Sequence, residues 1–531
     1  KPPELKTDLS KCKRNREDRM LEKLRGLTRI GGAKMCHPLA DPRELHRVID
    51  EIPGDNAFKA LDQIVGWLES LQGVPDFPED RLYEAVSRLH AVAQPHLKRL
   101  ARDYLHSPRL SRSEEKCLWT ISHGFWSILA VSYERCLPAV SQKTRVGEQL
   151  RQVLPSLSSR LIAALGSVLK WEQFHYEVSA GSLWQRLGTA LLLAERAGRT
   201  AQLRENASGF SSPQLEFVKV VAFLAASMDS LLPLEIELAE RLIAHFSPEF
   251  VFSAEVKRDS VYWIDLALAE PPTRLARKPP HALATLRFFK PGTAHASILK
   301  LIHDLERGHD APGETIFGGQ YDARTLLPVL RHLATHLASV PPQRRNGRHS
   351  VKQRVLIVHG LNYARMVYSG HFSGQGISLP VESWVVENVS RGGFGAVLNS
   401  IPGEWLKVGA LITMQPEGGA TWQLGIVRRY HRLGDSEAQI GIEMLALQGT
   451  PLELKTRTVS TYATVAGIPA LMIREGNAAG EVRVLMPPGS FSPSEALEYD
   501  EDGQRLLLSP VAILEQAVDY ELARYRRGAS V

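Results

Sequence analysis

The periodicity of apolar residues changes once, near Val340, and that change dictates the architecture of the chain. Upstream, apolar positions recur every three or four residues, the repeat of an amphipathic helix. Phe58, Leu61, Ile64, Val65 and Leu68 form one stripe, and others run through 82–105, 115–133, 150–169, 214–227 and 234–246. Breakers separate them, among them Gly73-Val74-Pro75, Ser107-Pro108, Ser247-Pro248 and Pro271-Pro272. Ser111-Arg-Ser-Glu114 has the form of a capping box, which starts a helix there. Downstream, Pro341-Pro342 ends the last helix, because proline lacks an N–H and restricts its neighbour.

Short β-branched and aromatic runs follow at 355–358, 383–386, 410–414, 422–427 and 439–444, divided by Gly392-Gly393 and Gly418-Gly419. Strands this short with turn signals between them indicate an all-β barrel or sandwich. The same style continues at 461–465, 470–473, 481–485 and 505–508, while 510–527 fits either a strand or a closing helix. At 531 residues the chain exceeds what one hydrophobic core supports. The expectation is a multidomain α plus β protein: an all-α domain of about ten helices over 1–340, a linker at 341–350, a β-barrel at 351–455 and a second β-rich subdomain at 456–531.

Composition excludes little beyond disorder and fibrous repeats, with 44% apolar and 23% charged residues. A net charge of +6 is small for this length, so the location of charge matters more than its sum. Basic clusters lie at Lys11 to Arg19, Arg344 to Arg354 and Arg428 to Arg432. The four cysteines, Cys12, Cys36, Cys117 and Cys136, contain no CxxC pair and fit a reducing compartment. No charged-then-apolar leader is seen and no apolar run reaches membrane-spanning length, so a soluble cytoplasmic protein is expected.

Several local patterns compete for attention. Trp184-Gln-Arg-Leu187-Gly188 matches the opening of a tetratricopeptide helix, but no second copy follows at a fixed period, so one packed helix with a buried Trp is the reading. His332 and His336 would share a helix face, yet no H-E-x-x-H or third ligand accompanies them, and ordinary helix-surface histidines are expected.

Two elements at the helix-to-sheet junction carry the function. Arg344-Arg345-Asn-Gly-Arg348 is followed forty residues later by Glu387-Asn388-Val-Ser390-Arg391-Gly392-Gly393. They resemble the R-x-x-x-R and [D/N]-x-S-x-x-G elements of PilZ domains. Leu424-Gly-Ile-Val427 and Ile440-Gly-Ile-Glu-Met444 resemble the closing strands of that six-stranded antiparallel barrel. The resemblance covers 344–454. It implies a receptor for the bacterial second messenger cyclic di-GMP, not an enzyme, with Arg344, Arg348, Asn388, Ser390 and Gly393 binding the ligand and Arg345 and Arg391 assisting. The departures are Asn where Asp is common and a long stretch between motifs, with 369–375 in its middle, read as an extended loop over the barrel. The chemistry agrees: a guanidinium is a fixed planar fork for phosphate or for the O6/N7 edge of guanine. Asn388 and Ser390 supply short donors and acceptors, and Gly393 allows a positive φ or a close backbone approach.

Because the arginines sit on the linker, ligand binding is expected to order it and to reorient the helical domain toward a protein partner. No cofactor or metal is expected. The alternatives are a ligand-free interaction scaffold, or a hydrolase suggested by Val355-Leu-Ile-Val-His359-Gly360, against which stands the lack of any G-x-S-x-G elbow. No P-loop, GGDEF- or EAL-like segment is present, and without aromatics among 344–354 nucleic acid is not the expected partner.

Overall fold

The computed structural model describes residues 37–528 apart from 108–109, 207–208, 277–278, 280–282, 310–320, 344–346, 371–378, 402, 404, 435, 457–466, 476–477 and 502. The chain divides into two compact units. One holds the chain up to Phe174 with Ser179–Met228 and Pro233–Pro342; the other holds His175–Val178, Asp229–Leu232 and Gln343–Val531. The basic stretch at Lys11 to Arg19 and the strand expected at 461–465 lie outside the described residues.

In the first unit the helical stripes fold as their spacing predicts. Helix Ala57–Gln72 buries Leu61, Ile64 and Leu68 completely, and Asn56 caps it by accepting from the Lys59 N–H. Helix Arg112–Glu134 opens on the expected capping box, with Ser111 and Glu114 bonded in both directions. Trp184 is buried in the helix Gly181–Arg196. Gly188 is needed there because a Cβ would fall 2.0 Å from the Leu266 carbonyl oxygen. The tetratricopeptide-like pattern is therefore one close helix packing. His332 lies 2.5 Å from the Ala226 carbonyl through Nε2, and no three metal-ligating side chains converge among the described residues. Helix Arg145–Phe174 is long and apolar enough to cross a membrane, a length that reading the sequence did not reveal; 61% of its apolar window is buried inside the unit.

The helical unit also contains strands that periodicity did not reveal. β1 (Arg204–Asn206) and β2 (Gly209–Ser211) form a hairpin. β3 (Val251–Ser253), β4 (Tyr262–Asp265), β5 (Thr273–Arg274) and β6 (Leu286–Lys290) form an antiparallel sheet in the order β3-β6-β4-β5. These strands are too short to display an alternation. β4 is buried at every position, so no polar face interrupts its apolar run.

The second unit consists of two closed barrels. The first is built from β7 (His349–His359), β8 (Glu382–Ser390), β9 (Gly393–Leu398), β10 (Leu411–Pro416), β11 (Gln423–Arg432) and β12 (Ala438–Ala446). Around the ring the order is β7-β8-β9-β12-β11-β10. The second uses β13 (Thr450–Thr456), β14 (Ile468–Ile473), β15 (Glu481–Met486), β16 (Leu497–Glu501), β17 (Gln504–Gln516) and β18 (Glu521–Gly528), ordered β13-β14-β15-β18-β17-β16. Adding six to each label of the first ring gives the second, so the two barrels share one topology. The open question at 510–527 resolves as the second half of β17 and most of β18.

Alternating residues of the first barrel, including Ile357, Trp384, Val386, Phe394, Ile412 and Ile440, fill its interior. Tyr176 completes that cluster. Its ring centroid lies 5.0 Å from that of Tyr430, and its carbonyl accepts the Arg432 N–H at 2.8 Å. Between β7 and β8 a helix, Leu361–Ser369, follows the His359-Gly360 corner, and most of the loop expected around 369–375 lies outside the described residues. Gly360 adopts φ +82°, a conformation that favours glycine. Leu361 and Ala364 of this helix join Leu411, Leu424 and Ile426 from the first barrel and Leu471, Ile473, Leu485 and Tyr520 from the second in one core. Each large side chain so buried contributes roughly 1.5–3 kcal/mol. Arg428 bridges the barrels as well, donating to Glu443 at 2.6 Å and bidentately to Glu515 at 2.8 and 2.7 Å.

Candidate functional site

The strand motif lies where β8 turns into β9. Pairing runs Asn388 to Gly395, Val389 to Phe394 and Ser390 to Gly393, with a register shift between Val386 and Asn388 that ends the regular ladder just before the motif. Side chains alternate along a strand, so Asn388 and Ser390 share one face. On the other edge of β8, His349 pairs with Val389 and Ser350 with Asn388. Arg348 is the residue before His349, so the antiparallel register brings it level with Ser390. Arg348 is exposed. Arg344 and Arg345 lie outside the described residues. Arg391 is exposed at the tip of the β8–β9 turn.

Two features of this corner are informative. The Ser390 hydroxyl donates to the Gly393 carbonyl at 3.1 Å, which fixes the tight turn. Asn388 Oδ1 is buried and has no hydrogen-bond partner among the described residues. Buried acceptors are nearly always paired, so this oxygen marks a place for an incoming donor.

The role expected of Gly393 needs correction. Its φ is not positive, and it is buried under β12, where a Cβ would fall 2.0 Å from the Ile442 carbonyl oxygen. It closes the barrel wall and is not exposed toward a ligand. The glycine that shapes the site is Gly395, which sequence reading missed. A Cβ there would fall 2.8 Å from Nδ2 and 2.9 Å from Oδ1 of Asn388, so the bare backbone makes room for the amide. An isolated glycine inside a strand signals such an approach.

The other basic cluster is already engaged. Arg428 holds the two glutamates described above, Arg429 Nε lies 3.7 Å from Asp229, and Arg432 Nε meets the Tyr430 hydroxyl at 3.4 Å. Asp229 also lies 3.1 Å from His431 Nε2, and its carboxyl is held below the ordinary carboxylate value by His431 and Arg429 although burial opposes this. The corner at Asn388 offers neutral amide and hydroxyl groups beside an arginine-bearing segment, suited to binding a polyanionic, hydrogen-bonding ligand.

Comparison with known families agrees with this chemistry. Residues 43–257 match the domain described as "Cyclic-di-GMP receptor FimW, N-terminal domain", and residues 374–451 match "Cyclic-di-GMP receptor FimW, middle PilZ domain". Together the matches cover more than half of the chain. It belongs to the cyclic-di-GMP receptor FimW family. The resemblance to PilZ domains was thus correct for the barrel and too narrow for the chain, because the helical region is matched as well. The PilZ match in this receptor contains Asn388, Ser390 and Gly393 and begins after the arginine pair. The second barrel falls outside both matches apart from its first residues. No curated protein matches the chain.

Proposed function

We propose that this receptor grips cyclic di-GMP between the Asn388–Ser390 face of β8 and the guanidinium groups of Arg344 and Arg348, with Arg345 and Arg391 assisting from the rim. The observation that carries the reading is the buried Asn388 Oδ1, unpartnered among the described residues, next to the strand end that the register brings level with Arg348. Guanine presents N–H donors to such an oxygen, and the phosphates take the forks of the arginines. Gly393 contributes through the wall beneath the site and not through contact.

The arginine segment begins one residue after Gln343, the first residue of the β unit's main segment. Ligand binding there orders the connection and biases the helical unit toward a protein partner, in a cytoplasmic receptor that works by binding and not by catalysis. Calorimetry with cyclic di-GMP on the full chain tests the site. Arg344→Ala, Arg348→Ala and Asn388→Ala should each weaken binding by about 1–3 kcal/mol, roughly five- to 150-fold, with the circular dichroism unchanged. Wild-type affinity in all three variants overturns the assignment. Small-angle scattering with and without ligand tests the rearrangement; identical profiles at saturation refute it.

A further inference from the structure

A second cavity lies at the far end of β7 from the motif corner. Its volume is about 490 Å³, and His359, Tyr363, Trp405, Lys407, Pro487 and Asp519 line it, so both barrels contribute. From His349 to His359 the strand rises roughly 3.3 Å per residue, which separates the two ends by about 33 Å. The cavity is therefore distinct from the proposed cyclic-di-GMP site.

One wall is a rigid aromatic stack. Trp405 lies parallel to His359 with centroids 4.1 Å apart and an interplanar angle of 5°. Trp384 continues the stack at 6.0 Å and 5°. A single carboxylate holds both indoles: Trp384 Nε1 donates to Glu382 at 3.0 Å and Trp405 Nε1 at 3.2 Å. Such clamping fixes the ring planes before any ligand arrives. The polar groups are of two kinds. Asp519, on the second barrel, accepts from the Leu411 backbone and feels both Lys407 and His359; burial nonetheless raises its carboxyl above the ordinary value. Opposite in charge are Lys407 and the start of helix Leu361–Ser369, where Gly360 provides no side-chain cap and Leu361, Asn362 and Tyr363 line the cavity.

A ligand that satisfies all of these groups is flat, carries adjacent N–H donors on one edge and also bears an anion. We infer that this cavity is a second nucleotide site, selective for a guanine mononucleotide. Its base packs against the His359–Trp405 stack, its N1–H and exocyclic amine donate to Asp519, and its phosphate sits at Lys407 and the open helix start. Guanine pairs two parallel donors with one carboxylate, whereas the matching edge of adenine offers a single donor beside an acceptor. Stacking on an aromatic surface contributes about 1–3 kcal/mol per base. The volume falls within the usual range for small-ligand sites, roughly 300–1,000 Å³. An arginine-bearing peptide would satisfy Asp519 and the stack but would leave Lys407 and the helix start unused.

The test uses the full chain with GMP and AMP as probes, followed by tryptophan fluorescence and calorimetry. GMP should bind saturably and in preference to AMP. Asp519→Asn should weaken GMP about tenfold or more and abolish the preference over AMP, because the amide edge presents one acceptor and one donor where the carboxylate presents two acceptors. Lys407→Ala should weaken both nucleotides alike. Cyclic-di-GMP affinity, measured on the same samples, should stay at the wild-type value and so shows that the barrels are folded. Absence of saturable GMP binding at millimolar concentration overturns the inference. GMP binding lost in Arg348→Ala and kept in Asp519→Asn overturns it too, since GMP would then occupy the other site. So does Asp519-dependent binding of an arginine-rich peptide without binding of GMP.

Discussion

The two barrels have the same ring order, yet the turn that carries the binding motif in the first has a different counterpart in the second. In the first, β8 passes to β9 through a two-residue turn, Asn388 and Ser390 share the face beside it, and a segment bearing arginines enters β7. In the second, the corresponding β14–β15 connection spans 474–480, and the segment entering β13 reads Leu447-Gln448-Gly449. Its surface charges are spent on each other: Arg474 and Arg527 both reach Glu501, Arg524 lies 3.6 Å from Glu481, and Lys455 lies 3.3 Å from Asp500. The topology supplies a frame, and the candidate site comes from one turn and one incoming segment.

Three measurements would break or sharpen that contrast. The largest effect belongs to the glycine pair of β9. Gly393→Ala forces a methyl against the Ile442 carbonyl, a backbone atom that cannot move aside, and should destabilise the first barrel by about 2–4 kcal/mol in denaturant unfolding. Gly395→Ala presses only on the end of the Asn388 side chain. It should leave stability within about 1 kcal/mol of wild type while weakening cyclic di-GMP binding, because the amide is displaced. Equal stability losses in the two variants would undo the division of roles proposed for them.

Arg428 ranks second. Its head is still partly open to solvent, with 37% of the side chain exposed, so its pairing with Glu443 and Glu515 is worth far less than a fully buried network. Arg428→Ala should cost roughly 1 kcal/mol, and a double-mutant cycle with Glu515→Gln should recover a coupling of similar size. No coupling would mean that the shared apolar core alone unites the barrels.

The smallest effect is a pH dependence centred on His359 of the first barrel. Burial holds the His359 ring below its ordinary value of 6.5, with Asp519 opposing. The unfolded chain takes up a proton near that pH that the folded barrel resists, so stability present above it is lost as the pH falls. Asp519 is displaced the other way and contributes with the opposite sign. The second barrel, from Thr450 onward, contains no histidine. Hydrogen exchange between about pH 7 and 5.5 should show protection declining in β7 and β10 but not in β13–β18, and His359→Gln should flatten the decline.

The frame of the molecule was legible because long helices and alternating strands repeat their signals many times over. Runs such as Trp422 to Val427 and Glu481 to Leu485 marked the strands of both β regions, whereas the ring order came only from the structure. Helix Leu361–Ser369 was hidden because Leu-Asn-Tyr-Ala-Arg-Met-Val-Tyr-Ser offers no breaker and mixes β-branched with aromatic residues directly after a strand. The short strands β3 to β6 were hidden by length and by burial on both faces. At the proposed site, the motif singled out Asn388 and Ser390, which the structure places on one face of β8. Gly393 and Gly395 were not separable, since their roles depend on which neighbouring strand lies over each, and that is a property of the closed ring.

Tyr176 carries a practical lesson for anyone preparing fragments of this receptor. A piece starting at Gln343 looks self-sufficient on paper, yet it would lack the ring that packs beside Tyr430 and the carbonyl that meets the Arg432 amide. Such a fragment begins life with a hole in its wall, and a poor yield or feeble ligand response from it would reflect the cut and not the native molecule.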